Sequence, residues 1–160
     1  IEGEVVAVDT DELVRSVVAS LASRITETRG QVIVHGPLPV VPAEETQLGQ
    51  VFQNLLTNSL KFVASDRAPV VEVAAERVGG EWLFSVTDNG IGIDPRHRER
   101  IFGMFKRLHG RDEYPGTGIG LALVKKIVER RRGRIGVEDN PAGPGSRFWF
   151  SIPARQETET

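Results

Sequence analysis

The sequence predicts an α+β fold, a two-layer sandwich in which about three helices cover one face of a mixed, mostly antiparallel sheet. Two observations predict it: long strand patterns joined by a hairpin signal, and helical patterns that stand apart from them in the chain. With 160 residues, 39% of them hydrophobic, the chain is long enough to bury one full core. We therefore expect one domain over residues 1–153 and a polar tail over residues 154–160.

The first half of the chain contains two amphipathic helical patterns. One follows the capping residues Asp9 and Thr10, and the other opens with Pro42 and Glu44, which favour a helix start. The predicted elements are, in chain order, a strand at 5–8, a helix at 11–28, a strand at 31–35, a Pro-rich turn with room for a brief extended segment at 36–42, and a helix at 44–63.

The second half begins with two strand patterns around Gly79 and Gly80, a pair that favours a hairpin turn. It then alternates between loops and helical patterns before two closing strands. The predicted elements are strands at 70–78 and 82–88, a tight loop at 88–94, a short helix at 95–102, a long mobile loop at 103–116, a helix at 117–131, and strands at 134–138 and 147–152 around a turn at 140–145.

The helix at 44–63 carries a polar stripe beside its core stripe, which is formed by Leu48, Val51, Phe52, Leu55 and Ser59. At about 100° per residue, Asn54, Asn58 and Lys61 fall within a wedge of roughly 60°, and Phe62 lies at its border. An amide oxygen suits Mg²⁺, an ammonium suits phosphate, and an aromatic ring can cover a base. The alternative is that this side of the helix is simply solvated.

Two glycine-rich loops accompany this helix. Asp88-x-Gly90-x-Gly92 follows an apolar strand, where a carboxylate could accept a hydrogen bond from an exocyclic amine; an ordinary Asp-Asn-Gly turn is the alternative. Gly116-x-Gly118-x-Gly120 lies at a predicted helix start, where free amides suit phosphate; glycines for close packing and a hinge are the alternative. Neither loop has the sequence of a Walker loop or a Rossmann fingerprint.

Composition excludes several classes of function. A formal net charge of −2 gives no reason to expect a nucleic acid or an anionic membrane as partner. The chain has no cysteine, so disulfides and thiol catalysis are excluded and a cytoplasmic location is expected. The three histidines, His35, His97 and His109, have no companions at zinc-ligand spacing.

Four segments together, 54–62, 88–93, 101–105 and 116–121, resemble the N, G1, F and G2 boxes of sensor histidine kinases. These kinases belong to the superfamily of gyrase, Hsp90, histidine kinases and MutL. The resemblance covers the chain from about Val5 to Pro153, and residues 105–116 are similar to those of bacterial phytochrome-type kinases. It implies a Bergerat ATP-binding fold, with Mg-ATP held beneath a flexible lid at 103–116.

The resemblance also implies a role for each matching residue. Asn58 would bind Mg²⁺, Asn54 would support the metal and phosphates, and Lys61 would reach a phosphate; these three form the implied catalytic set. Phe62 would pack on adenine and Asp88 would read its amino group. The other implied nucleotide-binding residues are Gly90, Gly92 and Ile93 around adenine, Phe105, Lys106, Arg107 and Gly116 in the lid, and Thr117, Gly118, Ile119, Gly120 and Leu121 at the phosphates. Phe102 would anchor the lid with Phe105.

One residue separates the branches of this superfamily. Its ATP-hydrolysing members have a glutamate four residues before the magnesium-binding asparagine, whereas this chain has Asn54 there. The resemblance therefore implies phosphoryl transfer to a histidine on a helical dimerisation domain that is absent from this sequence, with a response regulator downstream and this domain monomeric in isolation. The alternatives are an ATPase of the same superfamily and an interaction module without catalysis.

Overall fold

The computed structural model describes residues 3–98, 100–102 and 118–155. Its principal sheet has five strands in the order β2-β4-β5-β7-β6. β2 and β4 are parallel, and every other neighbouring pair is antiparallel. The strands are β2 Gln31–Val34, β4 Val70–Val78, β5 Glu81–Asp88, β6 Ile135–Asp139 and β7 Ser146–Pro153.

A separate two-stranded antiparallel sheet pairs β1 (Val6–Asp9) with β3 (Val40–Ala43). The extended segment expected within the Pro-rich turn is therefore a strand, and it continues one residue past the predicted end of the turn. β1 runs directly into the first helix, whose N-terminus is capped by the Asp9 carboxylate on the amide of Glu12 at 3.1 Å.

The helices lie on one face of the five-stranded sheet, as predicted. They are α1 Thr10–Ser20, α2 Ala22–Glu27, α3 Glu45–Lys61 and α4 Gly118–Arg130. α3 lies at the centre, in contact with α1, α4 and the strands β4 and β5. The Glu44 carboxylate caps its N-terminus by accepting hydrogen bonds from the amides of Thr46 and Gln47. The mixed, mostly antiparallel sheet and its helical layer confirm the predicted fold class.

Two predicted helices differ from those in the structure. The helix at 11–28 is divided at Leu21, whose φ of −101° and ψ of 9° leave the α region, and the amide of Leu21 bonds the carbonyl of Val18 three residues back. The turn buries Leu21 in the core. The helix at 95–102 is instead two 3₁₀ turns, Pro95–His97 and Arg100–Phe102, the first capped by the Asp94 carboxylate on the amide of Arg96.

The core forms around Phe52 of α3. Its ring meets Phe84 of β5 edge-on at a centroid distance of 5.6 Å and Phe150 of β7 at 5.4 Å. Phe84 and Phe150 are paired across β5 and β7 and stack at 5.2 Å. All three side chains are fully buried, so this cluster fixes the height of α3 above the sheet and with it the position of the polar stripe.

Replacing Phe52 with alanine should lower the free energy of unfolding by about 3–5 kcal/mol, because it leaves a cavity between α3 and the sheet. Urea unfolding followed by tryptophan fluorescence measures this loss. Val40→Ala is the control, since Val40 is 56% exposed and its truncation should change stability by less than about 0.5 kcal/mol. Equal effects of the two substitutions would contradict the central role of Phe52.

Candidate functional site

The site is organised around Asp88, the last residue of β5. Its side chain is buried, with 7% of the residue exposed. Carboxylate oxygen Oδ1 accepts two backbone hydrogen bonds, from the amide of Gly90 at 2.8 Å and the amide of Ser146 at 3.1 Å. Since both amides bind Oδ1, the second oxygen, Oδ2, takes part in neither bond. These two bonds fix the orientation of the carboxyl through Oδ1 alone.

Burial raises the pKa of Asp88 above the ordinary value of 3.8, because the charged form loses hydration. The amides of Gly90 and Ser146 lower the pKa and oppose this effect. The hydroxyl of Ser59 on α3 also lowers it, although its buried oxygen makes no hydrogen bond of full geometry within the described residues. Ser59 is the next residue after Asn58, so the polar stripe of α3 and Asp88 lie at the same end of the fold.

The loop after β5 packs directly against the C-terminal end of α3. The amide of Ile91 donates to the carbonyl of Phe62 at 3.0 Å. A Cβ atom on Gly90 would lie 2.3 Å from the same carbonyl oxygen, so only glycine allows this approach. Gly92 has a φ of +79°, and Ile93 is half-buried against the core. The residues predicted to surround adenine, Gly90, Gly92 and Ile93, therefore lie in the loop that packs against Phe62.

The polar stripe of α3 continues toward the start of α4. The side-chain nitrogen of Asn54 donates to the carbonyl of Gly120 at 3.2 Å, which joins two motifs separated by 66 residues. Asn58 is half-buried one turn further along α3. Lys61 is exposed and its ammonium lies 5.6 Å from the centre of the half-buried Phe62 ring.

The first turn of α4 lies beside this stripe. Gly118, Ile119 and Gly120 belong to that turn, where backbone amides have no partner within the helix. Leu121 is buried in the core and holds the start of α4 against the domain. Within the described residues α4 begins at Gly118, and the third glycine, Gly120, lies next to Asn54.

Part of the predicted site lies outside the described residues: Phe105, Lys106, Arg107, Gly116 and Thr117, together with the rest of the expected lid at 103–116. Phe102, the last described residue before it, is buried and packs edge-on against Phe148 of β7 at 6.3 Å. The expected lid anchor is thus attached to the sheet.

Several side chains that shape this site were not predicted as part of it. The Asn89 amide accepts from the amide of Val70 at 2.8 Å and donates to the carbonyl of Ala68 at 3.0 Å. A guanidinium nitrogen of Arg67 donates to the carbonyl of Gly90 at 3.3 Å. Asn140, from the turn after β6, donates to the carbonyl of Asp88 at 2.8 Å. Asn89 was detectable from its Asp-Asn-Gly context, whereas nothing local in the sequence points to Asn140.

The polar groups at this site fit a magnesium ion. Within the described residues no group of three or more His, Cys, Asp or Glu side chains could hold a metal. Magnesium, however, commonly uses one or two protein oxygens and completes its shell with water and substrate phosphates. The side-chain oxygen of Asn58, one turn along α3 from Asn54, is a donor of the required type.

Residues 43–156 match the family model described as histidine kinase-, DNA gyrase B-, and HSP90-like ATPase. The chain belongs to this family. The match extends from the end of β3 past β7, so it includes α3, the Asp88 loop and the start of α4. The buried carboxylate, the polar stripe and the glycine-rich helix start are thus features of an ATP-binding domain of this family.

Relatives place the domain among sensor kinases. It is 53% identical over 145 residues to cyanobacterial phytochrome A of Nostoc sp. (strain PCC 7120), covering 91% of this chain and 19% of that protein. It is 48% identical over 114 residues to sensor histidine kinase AruS of Pseudomonas aeruginosa, covering 68% of this chain and 11% of that protein. The chain therefore spans about a fifth or less of these relatives and corresponds to their histidine-kinase ATP-binding domain.

A solved structure of full-length ShkA in complex with AMPPNP has the same fold. Its TM-score is 0.81 and its sequence is 32% identical, with 99% of this chain and 33% of that chain covered. Together with the family match, this likeness confirms the histidine-kinase catalytic domain predicted from the four motifs. In the described part of the chain, no helix combines the length and hydropathy that crossing a bilayer requires.

The raised pKa of Asp88 predicts how stability depends on pH. Because the folded protein binds this proton more tightly than the unfolded chain, the contribution of Asp88 to the free energy of unfolding should fall as pH rises from 3.8 through the folded pKa. Asp88→Asn keeps an oxygen for both amides and lacks this titration. The stability of the variant relative to the parent should therefore increase with pH over that window, as measured by urea unfolding.

Asp94→Asn supplies a control of opposite sign. The side chain and amide of Arg96 lower the pKa of Asp94, so its contribution is present above pH 3.8 and is lost as pH falls through the folded pKa. The stability of Asp94→Asn relative to the parent should not rise as pH rises. An Asp88→Asn profile without a rise relative to the parent would contradict the burial cost assigned to this carboxylate.

Proposed function

We propose that this domain binds Mg-ATP and transfers its γ-phosphoryl group to a histidine on a helical dimerisation domain outside this chain. The observation that carries the proposal is the buried Asp88 carboxylate, with Oδ1 held by two amides, at the end of a polar stripe that includes Asn58. The matching family is described as an ATPase family, and this supports ATP as the nucleotide.

The adenine base would be recognised by Asp88. Oδ2 would accept a hydrogen bond from the exocyclic amino group, since Oδ1 is already occupied. The close approach of Gly90 to the Phe62 carbonyl supports a flat pocket wall, and the Phe62 ring would cover the base. Gly92 and Ile93 would complete the pocket on the side of the loop after β5.

The phosphates would extend along α3 toward α4. Asn58 would bind Mg²⁺ through its side-chain oxygen, and Asn54 would support the metal and phosphates while its nitrogen remains on Gly120. When bound, Mg²⁺ neutralises charge on the phosphate oxygens. Lys61 would reach a phosphate, the amides of 117–121 would bind others, and Lys106 and Arg107 would approach the γ-phosphate.

Transfer is a better reaction for this site than hydrolysis. The residue one turn before Asn58 is Asn54, and a carboxamide cannot take a proton from water. Its bond to the Gly120 carbonyl gives it a positioning role instead. Catalysis would therefore depend on orienting the phosphate chain and stabilising its charge, while the acceptor histidine provides the nucleophile.

The acceptor is expected outside this chain. His35 directly follows β2, and its ring nitrogen Nε2 lies 2.8 Å from a carboxylate oxygen of Glu72. His97 lies in a 3₁₀ turn. Neither belongs to the α3 stripe or the Asp88 loop. We accordingly infer a helical histidine-bearing domain and a response regulator as partners, with a cytoplasmic location, a monomeric state in isolation, and no nucleic acid or membrane contact by this domain.

Asn58→Ala should remove the magnesium-dependent part of nucleotide affinity, because it deletes the proposed metal ligand. Calorimetric titration with ADP, with Mg²⁺ and with chelator, measures that part directly. In the parent protein Mg²⁺ should strengthen ADP binding. In Asn58→Ala the dissociation constants for ADP measured with Mg²⁺ and with chelator should agree within about twofold. Gln53→Ala is the matched control, since Gln53 is an α3 amide bonded to Ser20 instead. A full magnesium effect in Asn58→Ala would disprove the assignment.

Mixing this domain and γ-labelled ATP with a separately produced helical domain tests the reaction. Acid-labile label should appear on the helical domain, because phosphohistidine hydrolyses in acid, and it should not appear when the acceptor histidine is replaced. The catalytic domain alone should release little phosphate. Appreciable phosphate release in the absence of the helical domain would instead support an ATPase.

A further inference from the structure

The turn between β6 and β7, residues 140–145, lies against the backbone and the carboxyl of Asp88. Asn140 donates from its side-chain nitrogen to the Asp88 carbonyl at 2.8 Å, across 52 residues of sequence. Ser146, directly after the turn, donates its amide to Oδ1 of Asp88 at 3.1 Å. The last residue of β5 is therefore held at both its carbonyl and its carboxylate by the same distant segment.

The contact is so close that it restricts the residue at the end of the turn. Gly145 has a φ of +115°, and a Cβ atom there would lie 2.0 Å from the carbonyl oxygen of Asp88. No side chain fits at this position. Gly143 in the same turn differs, since a Cβ atom there would meet nothing within 4 Å. The tight approach is thus confined to the part of the turn that touches Asp88.

Asn140 also closes the turn on itself. Its side-chain nitrogen donates to the Pro144 carbonyl at 3.2 Å, and its side-chain oxygen accepts from the amide of Ala142 at 2.9 Å. Its own amide donates to the Gly145 carbonyl at 3.1 Å. One side chain therefore sets the shape of the turn and attaches it to β5, so a change at Asn140 should move Gly145 and Ser146 together.

We propose that Asn140 is a positioning residue for purine recognition, which holds Asp88 in the orientation that distinguishes a 6-amino purine from a 6-oxo purine. This inference rests on the proposed function, in which Asp88 accepts a hydrogen bond from adenine. Asn140 contacts Asp88 on its carbonyl, and its turn presents the Ser146 amide that fixes Oδ1. Loss of these constraints changes the direction in which Oδ2 faces, and hydrogen bonds weaken steeply with misalignment.

Purine selectivity reports this orientation specifically. A 6-amino group donates to a carboxylate, whereas a 6-oxo group presents a second acceptor to it. Adenosine and inosine diphosphates carry the same ribose and phosphates, so their affinity ratio isolates the base contact. A substitution that merely loosened the domain would weaken both ligands and leave the ratio unchanged.

The test compares dissociation constants for ADP and inosine diphosphate in the parent and in Asn140→Asp, Asn140→Ser and Gly143→Ala. The aspartate in Asn140→Asp has nearly the same shape as asparagine and keeps an acceptor for the Ala142 amide, but it cannot donate to the Asp88 carbonyl. The serine in Asn140→Ser is too short to reach that carbonyl and adds no charge. Binding is measured at a temperature at which circular dichroism shows each variant folded. Both Asn140 variants should bind ADP about tenfold more weakly, with inosine diphosphate changed less than about twofold. Gly143→Ala should match the parent.

Unchanged selectivity in both folded Asn140 variants, whether from no loss or from equal loss of the two ligands, would overturn the positioning role. A parent protein that binds ADP and inosine diphosphate equally would overturn the assignment of Asp88 itself, and with it the proposed function. These two failures are distinguishable because the first appears only in the variants and the second already appears in the parent.

Discussion

The buried carboxylate of Asp88 is the constraint on which the rest of this structure depends. A charge removed from water is costly unless polar groups replace its hydration, and here the amides of Gly90 and Ser146 do so. The first comes from the loop after β5 and the second from the start of β7. Satisfying one side chain thus brings the end of β5, the β6–β7 turn and the end of α3 to a common point.

α3 serves both the core and the site because its two stripes are adjacent. Phe52 and its neighbours bind the helix to Phe84 and Phe150 of the sheet, all of them fully buried. This packing leaves Asn54 and Asn58 half-buried at the border of the core, and Asn54 bonds the carbonyl of Gly120 in α4. The polar groups are therefore rigidly placed by apolar contacts, which is the arrangement that catalysis by positioning requires.

In the function proposed here, the choice between transfer and hydrolysis depends on a single functional group. Asn54 has nearly the shape of a carboxylic side chain but no basicity, and its nitrogen is engaged by the Gly120 carbonyl. The same position therefore joins two helices at the site. In the proposed function, this double role would let a domain of an ATPase family retain the nucleotide-binding architecture while another domain supplies the chemical nucleophile.

The sequence by itself determined the fold class, the central helix and two segments that the structure brings to the same end of the fold, the polar stripe of α3 and the loop after Asp88, because each has a local signature. Helical spacing revealed the stripe with Asn54 and Asn58, and the glycine spacing around Asp88 revealed the loop. The break at Leu21 and the 3₁₀ turns at 95–102 escaped prediction, since periodicity does not distinguish a continued helix from one redirected by packing.

Only the tertiary structure decided which groups surround Asp88. Ser59 counted in the sequence as part of the core stripe, and Asn140 as an ordinary turn residue, yet Ser59 lies at the carboxylate of Asp88 and Asn140 donates to its backbone carbonyl. Their roles arise from contacts across 29 and 52 residues of chain, respectively, for which no local pattern exists. Hydrogen bonds between distant segments form only after the sheet order has brought β5 beside β7, and that order is a property of the whole fold.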